Sequence, residues 1–112
     1  SNKELKVIND QFWIPTNTLD LSKAIFEIIN NIWIYKWKIF HLSNSSEKNI
    51  SWFDFASEIF KITEKNIKIN PCNSEEYKTK AKRPKFSRLI NNSDVILRDW
   101  KKWLRDYINI LN

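Results

Sequence analysis

Asp10-Gln11-Phe12-Trp13-Ile14-Pro15-Thr16, Ser51-Trp52-Phe53-Asp54-Phe55-Ala56 and Ala81-Lys82-Arg83-Pro84-Lys85-Phe86-Ser87-Arg88-Leu89 decide the reading of this chain by their order and spacing. The first follows Leu5-Lys6-Val7-Ile8, a weakly alternating run that predicts a short strand, so it reads as the loop leaving that strand. Pro15 closes the loop, and Thr16 or Thr18 can cap a helix in which Leu21, Ala24, Ile25, Ile28, Ile29 and Ile32 share one stripe. In the second stretch Ser51 and Asp54 have capping-box spacing, and Trp52, Phe55, Ala56, Ile59 and Phe60 fall on one face of the helix that follows. The third sits inside the segment from Cys72 to Ser87, which has no period and contains Pro84. A loop of that length inside a compact domain usually carries function or is flexible.

The remaining elements read outward from these. Trp33, Tyr35, Trp37, Ile39 and Phe40 look extended, and Ile39-Phe40-His41-Leu42 is the expected central strand. Ser43 to Asn49 is a polar turn, and Ile67 and Ile69 flank Lys68 in a short strand ending at Pro71. Trp100, Trp103, Leu104, Tyr107, Ile108 and Leu111 give the clearest helical stripe. The expectation is an α+β fold with a small mixed sheet of about three short strands and three main helices, and a single domain over residues 1–112.

Composition narrows the chemistry. The chain has 112 residues and no glycine, which removes both the dinucleotide fingerprint and the P-loop, since each needs glycines where backbone meets phosphate. No Tyr-x-x-x-Lys pair exists either: Tyr35 is followed four residues on by Ile39, Tyr77 by Ala81 and Tyr107 by Leu111. No zinc-ligand set or Ser-His-Asp pattern can be assembled, so neither a catalytic group nor a metal ligand is assigned. His41 is expected to be a packed, hydrogen-bonded strand residue, and Cys72, the single cysteine, a small apolar filler beside a strand. Lacking a membrane-length apolar run or a signal-peptide pattern, the chain is expected to be cytoplasmic and free of membrane partners. The absence of methionine predicts a chain that was processed, excised or expressed behind a tag, with Ser1-Asn2 a candidate scar.

The net charge of +6 comes from basic residues spread along the chain, which favours a solvated surface for most of them. Lys78, Lys80, Lys82, Arg83, Lys85 and Arg88 are the exception, clustered around the Arg-Pro pair. An anion site is most credible there.

Taken together, the three stretches resemble the C-terminal part of dTDP-4-dehydrorhamnose reductase, an extended short-chain dehydrogenase/reductase. In that family D-Q-x-G-x-P-T opens the substrate region, a Ser-Trp-aromatic-x-Phe-Ala helix follows, and A-x-R-P-x-x-S-x-L forms a loop. Asp99-Trp100 resembles the opening of its closing helix. The resemblance implies an enzyme that transfers hydride from NADPH to the C4 ketone of a dTDP-linked 4-keto sugar, yielding dTDP-rhamnose for cell-surface polysaccharide. It also implies that this chain is the substrate-binding portion without the N-terminal cofactor-binding Rossmann domain, holds no cofactor itself and is inactive alone.

By the same resemblance, Arg83 meets the diphosphate, with Gln11 and Lys82 as further substrate-binding candidates. The plainer alternatives are a surface arginine and a loop-holding glutamine. Asp10 and Thr16 are expected to hold their loop through side-chain to backbone bonds. Trp13 and Lys38 stand where the family pattern carries glycine, and an indole fills space that glycine leaves open. In the family these elements wrap against the Rossmann domain, so an apolar patch and a strand edge should be exposed, and a separate Rossmann half or a second copy is the expected partner. Two further readings stand beside this one. A non-catalytic binding module of the same fold, like the regulatory subunit of methionine adenosyltransferase, is one, and a small basic nucleic-acid binder, ranked below it, is the other.

Overall fold

A computed structural model describes residues 4–77 and 79–112; Ser1, Asn2 and Lys78 of the reading above lie outside the described residues. Strand β1 (Glu4–Ile8) pairs in parallel with β4 (Lys68–Cys72), from Glu4 opposite Lys68 to Ile8 opposite Cys72. Strand β2 (Phe12–Trp13) pairs antiparallel with β3 (Ile50–Ser51). Helices α1 (Thr18–Asn30), α3 (Trp52–Thr63) and α4 (Trp100–Leu111) are the main ones, and α2 (Ile32–Tyr35) is a single turn. The α+β class and the three main helices agree with the sequence, but the strands form two ribbons rather than one mixed sheet. β4 also runs through Pro71 to Cys72, which a two-stranded ribbon tolerates because the missing amide donor can face away from its one partner.

Local chemistry explains the helix starts. Ser51 Oγ accepts from the Asp54 amide at 3.1 Å while the Asp54 carboxylate accepts from the Ser51 amide at 3.0 Å, closing the expected capping box. Helix α1 is capped by Asn17, whose side chain accepts from the Asp20 amide at 3.0 Å, rather than by Thr16 or Thr18. Thr16 instead donates to the Ile14 carbonyl at 3.3 Å. The chain's lack of glycine shows at two positions. Glu64 ends α3 in the left-handed region at φ 56°, and Trp37 follows α2 at φ 69°, a conformation that glycine normally supplies.

Three readings of the middle of the chain are corrected. Ile32–Tyr35 is helical rather than extended. Ile39–Leu42 forms no strand, because among the described residues no strand pairs with it; its backbone meets Asn92, whose side chain accepts from the His41 amide at 2.8 Å. His41 is exposed rather than packed.

Two clusters make the core. Ile14, Ile50, Trp100, Trp103, Leu104 and Ile108 form the larger, with Trp13, Phe55, Ile59 and Ile62 packed against it. The indole N–H of Trp103 donates to the Pro15 carbonyl at 3.1 Å, fixing α4 to the loop after β2. Tyr107 and Leu111, at the edge of the α4 stripe, remain exposed. The smaller cluster joins Ala24, Val95 and Leu97. Cys72 is buried in β4, as a filler should be.

Asn44, 2% exposed, ties these parts together. Its side-chain oxygen accepts from the Asn17 amide at 2.8 Å, and its Nδ2 donates to Asp20 at 2.8 Å and to the Arg98 carbonyl at 3.0 Å. The Arg98 Nε donates to the Asp20 carboxylate at 2.9 Å, and its Nη1 reaches Asp106. These hydrogen bonds, Asp20 first and then Asp106, hold the guanidinium proton more tightly than usual.

Much of α1 and α2 is uncovered. Phe26, Ile29, Trp33, Ile34, Trp37 and Ile39 are exposed, Trp33 at 81% and Trp37 at 94%. These exposed side chains succeed one another along α1, α2 and the turn after it, in line with the apolar surface expected there.

Two outcomes follow. Asn44→Ala should cost about 2–4 kcal/mol in urea unfolding, since each buried partner left unsatisfied costs about 1–3 kcal/mol, whereas Ser22→Ala on the exposed side of α1 should change stability by less than about 0.5 kcal/mol. The double change Phe26→Ser and Trp33→Ser should reduce binding of a hydrophobic dye while moving the unfolding midpoint little.

Candidate functional site

The loop after β4 is long and its described residues form no helix or strand, yet it is held at two points by the segment around Asp10. At the start, the Asp10 carboxylate accepts from the Ser74 amide at 3.0 Å and from the Ser74 hydroxyl at 2.9 Å. The Asn9 amide donates to the Cys72 carbonyl at 2.9 Å. At the end, the Phe12 amide donates to the Lys85 carbonyl at 2.7 Å and the Ser87 amide to the Phe12 carbonyl at 2.9 Å. The Phe12 and Phe86 rings stack above this bridge at 5.3 Å.

Asp10 thus does the loop-holding expected of it, and its charge suits the task. The Ser74 amide, then the Ser74 hydroxyl, hold its carboxyl below the usual 3.8 against the opposing effect of desolvation, with the Lys85 ammonium adding to the lowering.

Held this way, the loop arches over a cleft of about 460 Å³ lined by Gln11, Ser74, Glu75, Thr79, Lys80, Ala81, Lys82 and Arg83. All three sequence candidates, Gln11, Lys82 and Arg83, line it. A second cleft of about 470 Å³ adjoins it and is lined by Gln11, Phe12, Trp13, Trp52, Arg83, Pro84 and Ser87. Gln11 and Arg83 belong to both, so they stand on the shared wall. Pro84 keeps the Arg83 backbone extended, which fixes the direction in which its side chain leaves the loop.

One cleft is cationic and the other aromatic. In the first, Lys80, Lys82 and Arg83 supply ammonium and guanidinium donors, with Glu75 the lone carboxylate among the lining residues. Such a set suits an anion carrying several oxygens. In the second, Trp13 and Trp52 stack at 4.0 Å with their planes 27° apart. Trp13 lies extended in β2 and does not adopt a positive φ, so it meets no backbone penalty where the family pattern has glycine.

The basic cluster read from sequence does not stay together. Lys85 lies with its ammonium 5.5 Å over the Phe86 ring. Arg88 turns toward another loop, donating to Asn49 at 3.1 Å and to the Ser46 carbonyl at 3.2 Å. Sequence reasoning missed Ser74, Glu75 and Thr79. Ser74 carried no local signal, because its partner Asp10 is 64 positions away. Among the described residues, no group of three or more His, Cys, Asp or Glu side chains is placed to hold a metal ion. No described helix is long and apolar enough to cross a membrane.

A family model described as RmlD substrate binding domain matches residues 1–112. The chain is 32% identical over 112 residues to the spore coat polysaccharide biosynthesis protein SpsK of Bacillus subtilis, covering 96% of this chain and 38% of that protein. A dTDP-4-dehydrorhamnose reductase from Clostridium acetobutylicum superimposes with a TM-score of 0.88 at 38% identity, covering 98% of this chain and 39% of that one. The reductase from Bacillus anthracis, solved in complex with NADP, gives 0.83 at 27% identity and covers 99% and 39%. The chain spans about two fifths of the length of these proteins.

The loop clamp has a pH signature. Because the Asp10 carboxyl is held below 3.8 in the folded chain, its contribution is complete above that value and is lost as pH falls through the lower, folded one. The Ser74 amide resonance should therefore titrate with a midpoint below 3.8, and Asp10→Ala should abolish the titration and loosen the loop.

Proposed function

Because the chain belongs to the RmlD substrate binding domain family, we propose that it forms the nucleotide-sugar wall of a dTDP-4-dehydrorhamnose reductase-like protein. The reaction is reduction of the C4 ketone of a dTDP-linked 4-keto sugar. The part assigned to these residues is to hold and orient the sugar nucleotide while hydride and proton come from a cofactor-binding half. What supports the reading most is the cationic cleft. Lys80, Lys82 and Arg83 are among its lining residues, and Gln11 lines both clefts.

The roles follow from chemistry. Arg83 offers a planar fork that matches diphosphate oxygens in a bidentate way, and Lys82 and Lys80 add point charges that neutralise the rest. The Gln11 amide can donate to a phosphate or sugar oxygen and accept from a sugar hydroxyl. The residues present do not fit the nicotinamide cofactor. A dinucleotide turn needs glycine at its close approaches, the sequence has none, and the two left-handed described residues, Trp37 and Glu64, line neither cleft. The cofactor half is therefore assigned to a Rossmann portion outside these residues, whose packing is expected to cover apolar surface that they leave open.

Calorimetric titration with thymidine diphosphate tests the reading. Arg83→Ala should weaken binding roughly ten- to a hundredfold, as loss of a charge-assisted contact of about 1.5–3 kcal/mol requires, and Arg83→Lys should restore only part. Lys85→Ala, at a residue that lines neither cleft and whose ammonium sits over the Phe86 ring, should change little. Equal losses at Arg83 and Lys85 would reduce the effect to general electrostatics. The chain alone should also show no NADPH-dependent reduction of the keto sugar, and turnover by the homogeneous chain would overturn its assignment as a binding wall.

A further inference from the structure

Between its two ties, the loop after β4 makes only local hydrogen bonds. Among the described residues 75–84, the Glu76 amide donates to the Asn73 carbonyl at 3.2 Å and to the Asn73 side-chain oxygen at 2.9 Å, and the Thr79 hydroxyl donates to the Ala81 carbonyl at 2.7 Å. The hydrogen bonds that place Lys80, Lys82 and Arg83 relative to the body therefore lie outside that stretch, at Ser74 on one side and at Lys85 and Ser87 on the other. Asp10 makes the first tie. Each of its carboxylate oxygens lies 3.0 Å from the Ser74 amide nitrogen, and Oδ2 also accepts from the Ser74 hydroxyl at 2.9 Å. Asp10 itself does not line the cationic cleft, whereas Ser74 and its own neighbour Gln11 both do.

We propose that Asp10 is a positioning residue for the cationic cleft: by fixing Ser74 it holds the loop in the arrangement that takes a diphosphate, so that its carboxylate strengthens anion binding although its charge opposes it. This rests on the reading of the Lys80–Arg83 cleft as the diphosphate seat. The mechanism is preorganisation. A loop tied at one end only samples many arrangements, and affinity falls with the fraction of time that the three cations share one wall. A carboxylate suits the tie in a way that a neutral amide does not. It accepts from both Ser74 donors at once, and each bond is charge-assisted, whereas an asparagine would turn an N–H toward one of them.

Calorimetric titration with pyrophosphate near neutral pH separates charge from position, because the two differ in sign. Coulomb attraction alone makes Asp10→Asn bind more tightly, since one negative charge beside the cations is gone. Loss of the tie should instead weaken binding about five- to fiftyfold in protein that an unfolding midpoint shows to be folded. Ser74→Ala keeps the charge and removes one bond, so it should weaken binding about two- to tenfold, and Ser74→Thr, which retains a hydroxyl, should restore most of the loss. Since Asp10 acts through the cations, Asp10→Asn should cost much less in an Arg83→Ala background than alone. Tighter or equal binding by folded Asp10→Asn overturns the positioning role, and equal binding by Ser74→Ala overturns it even if Asp10→Asn fails to fold. The same loss in both backgrounds overturns action through Arg83. Failure of the unaltered chain to bind pyrophosphate overturns the reading of the cleft itself, and the positioning role with it.

Discussion

The buried contact between Asn44 and the Asp20–Arg98 pair is the constraint on which the other parts hang. A carboxylate that is only 8% exposed is costly unless its charge is met and its lone pairs are used. Arg98 meets the charge and the Asn44 amide takes a further lone pair. In doing so Asn44 fixes the Asn17 cap of α1, the turn that leads to β3, and the strand-like segment from Val95 to Asp99. Ser45 extends the same seam, its amide donating to the Arg98 carbonyl and its own carbonyl accepting from Trp100. Helix α4 thereby starts where it must for Trp103 to reach Pro15.

The loop after β4 is held by a different strategy. It has almost no apolar anchor of its own, and hydrogen bonds near Asp10 and Phe12 define its ends. Between the two clamped points Lys80, Lys82 and Arg83 line one cleft, and the Phe12–Phe86 stack packs the far end against β2. A glycine-rich phosphate site brings backbone amides to its ligand. This chain lines its clefts with side chains instead, and the two clefts divide charge from aromatic surface.

How much of this could be read from sequence depends on the range of the interactions. The Ser51–Asp54 box and the α4 stripe were legible because both are settled within one or two helical turns. The choice of Asn17 over its threonine neighbours was not, since Asn44, 27 positions away, receives the Asn17 amide and favours that register. Ile39–Leu42 has the composition of a strand, but a strand is defined by its neighbour, and none pairs with it. Trp52 was read as a core residue from helical spacing, yet its position at the first turn leaves it half on the surface, against Trp13. The motifs brought Gln11, Lys82 and Arg83 to attention separately; their meeting at one cleft depends on the Asp10–Ser74 contact, which no local pattern announces.

The span of these contacts shapes how the chain can reach its fold. Asp20 finds Arg98 across 78 positions and Trp103 finds Pro15 across 88. β1 has no partner until β4 is present, since their pairing is parallel and needs a long crossover. Such a contact pattern slows folding, because loop closure must precede most of the stabilising contacts. The β1–β4 ribbon, the Asp20–Arg98 pair and the Trp103–Pro15 bond therefore each need segments from both halves of the fold before they can form. Helix α4 acts as a latch on this arrangement: it joins the loop after β2 to the larger core cluster, so loosening it would release both.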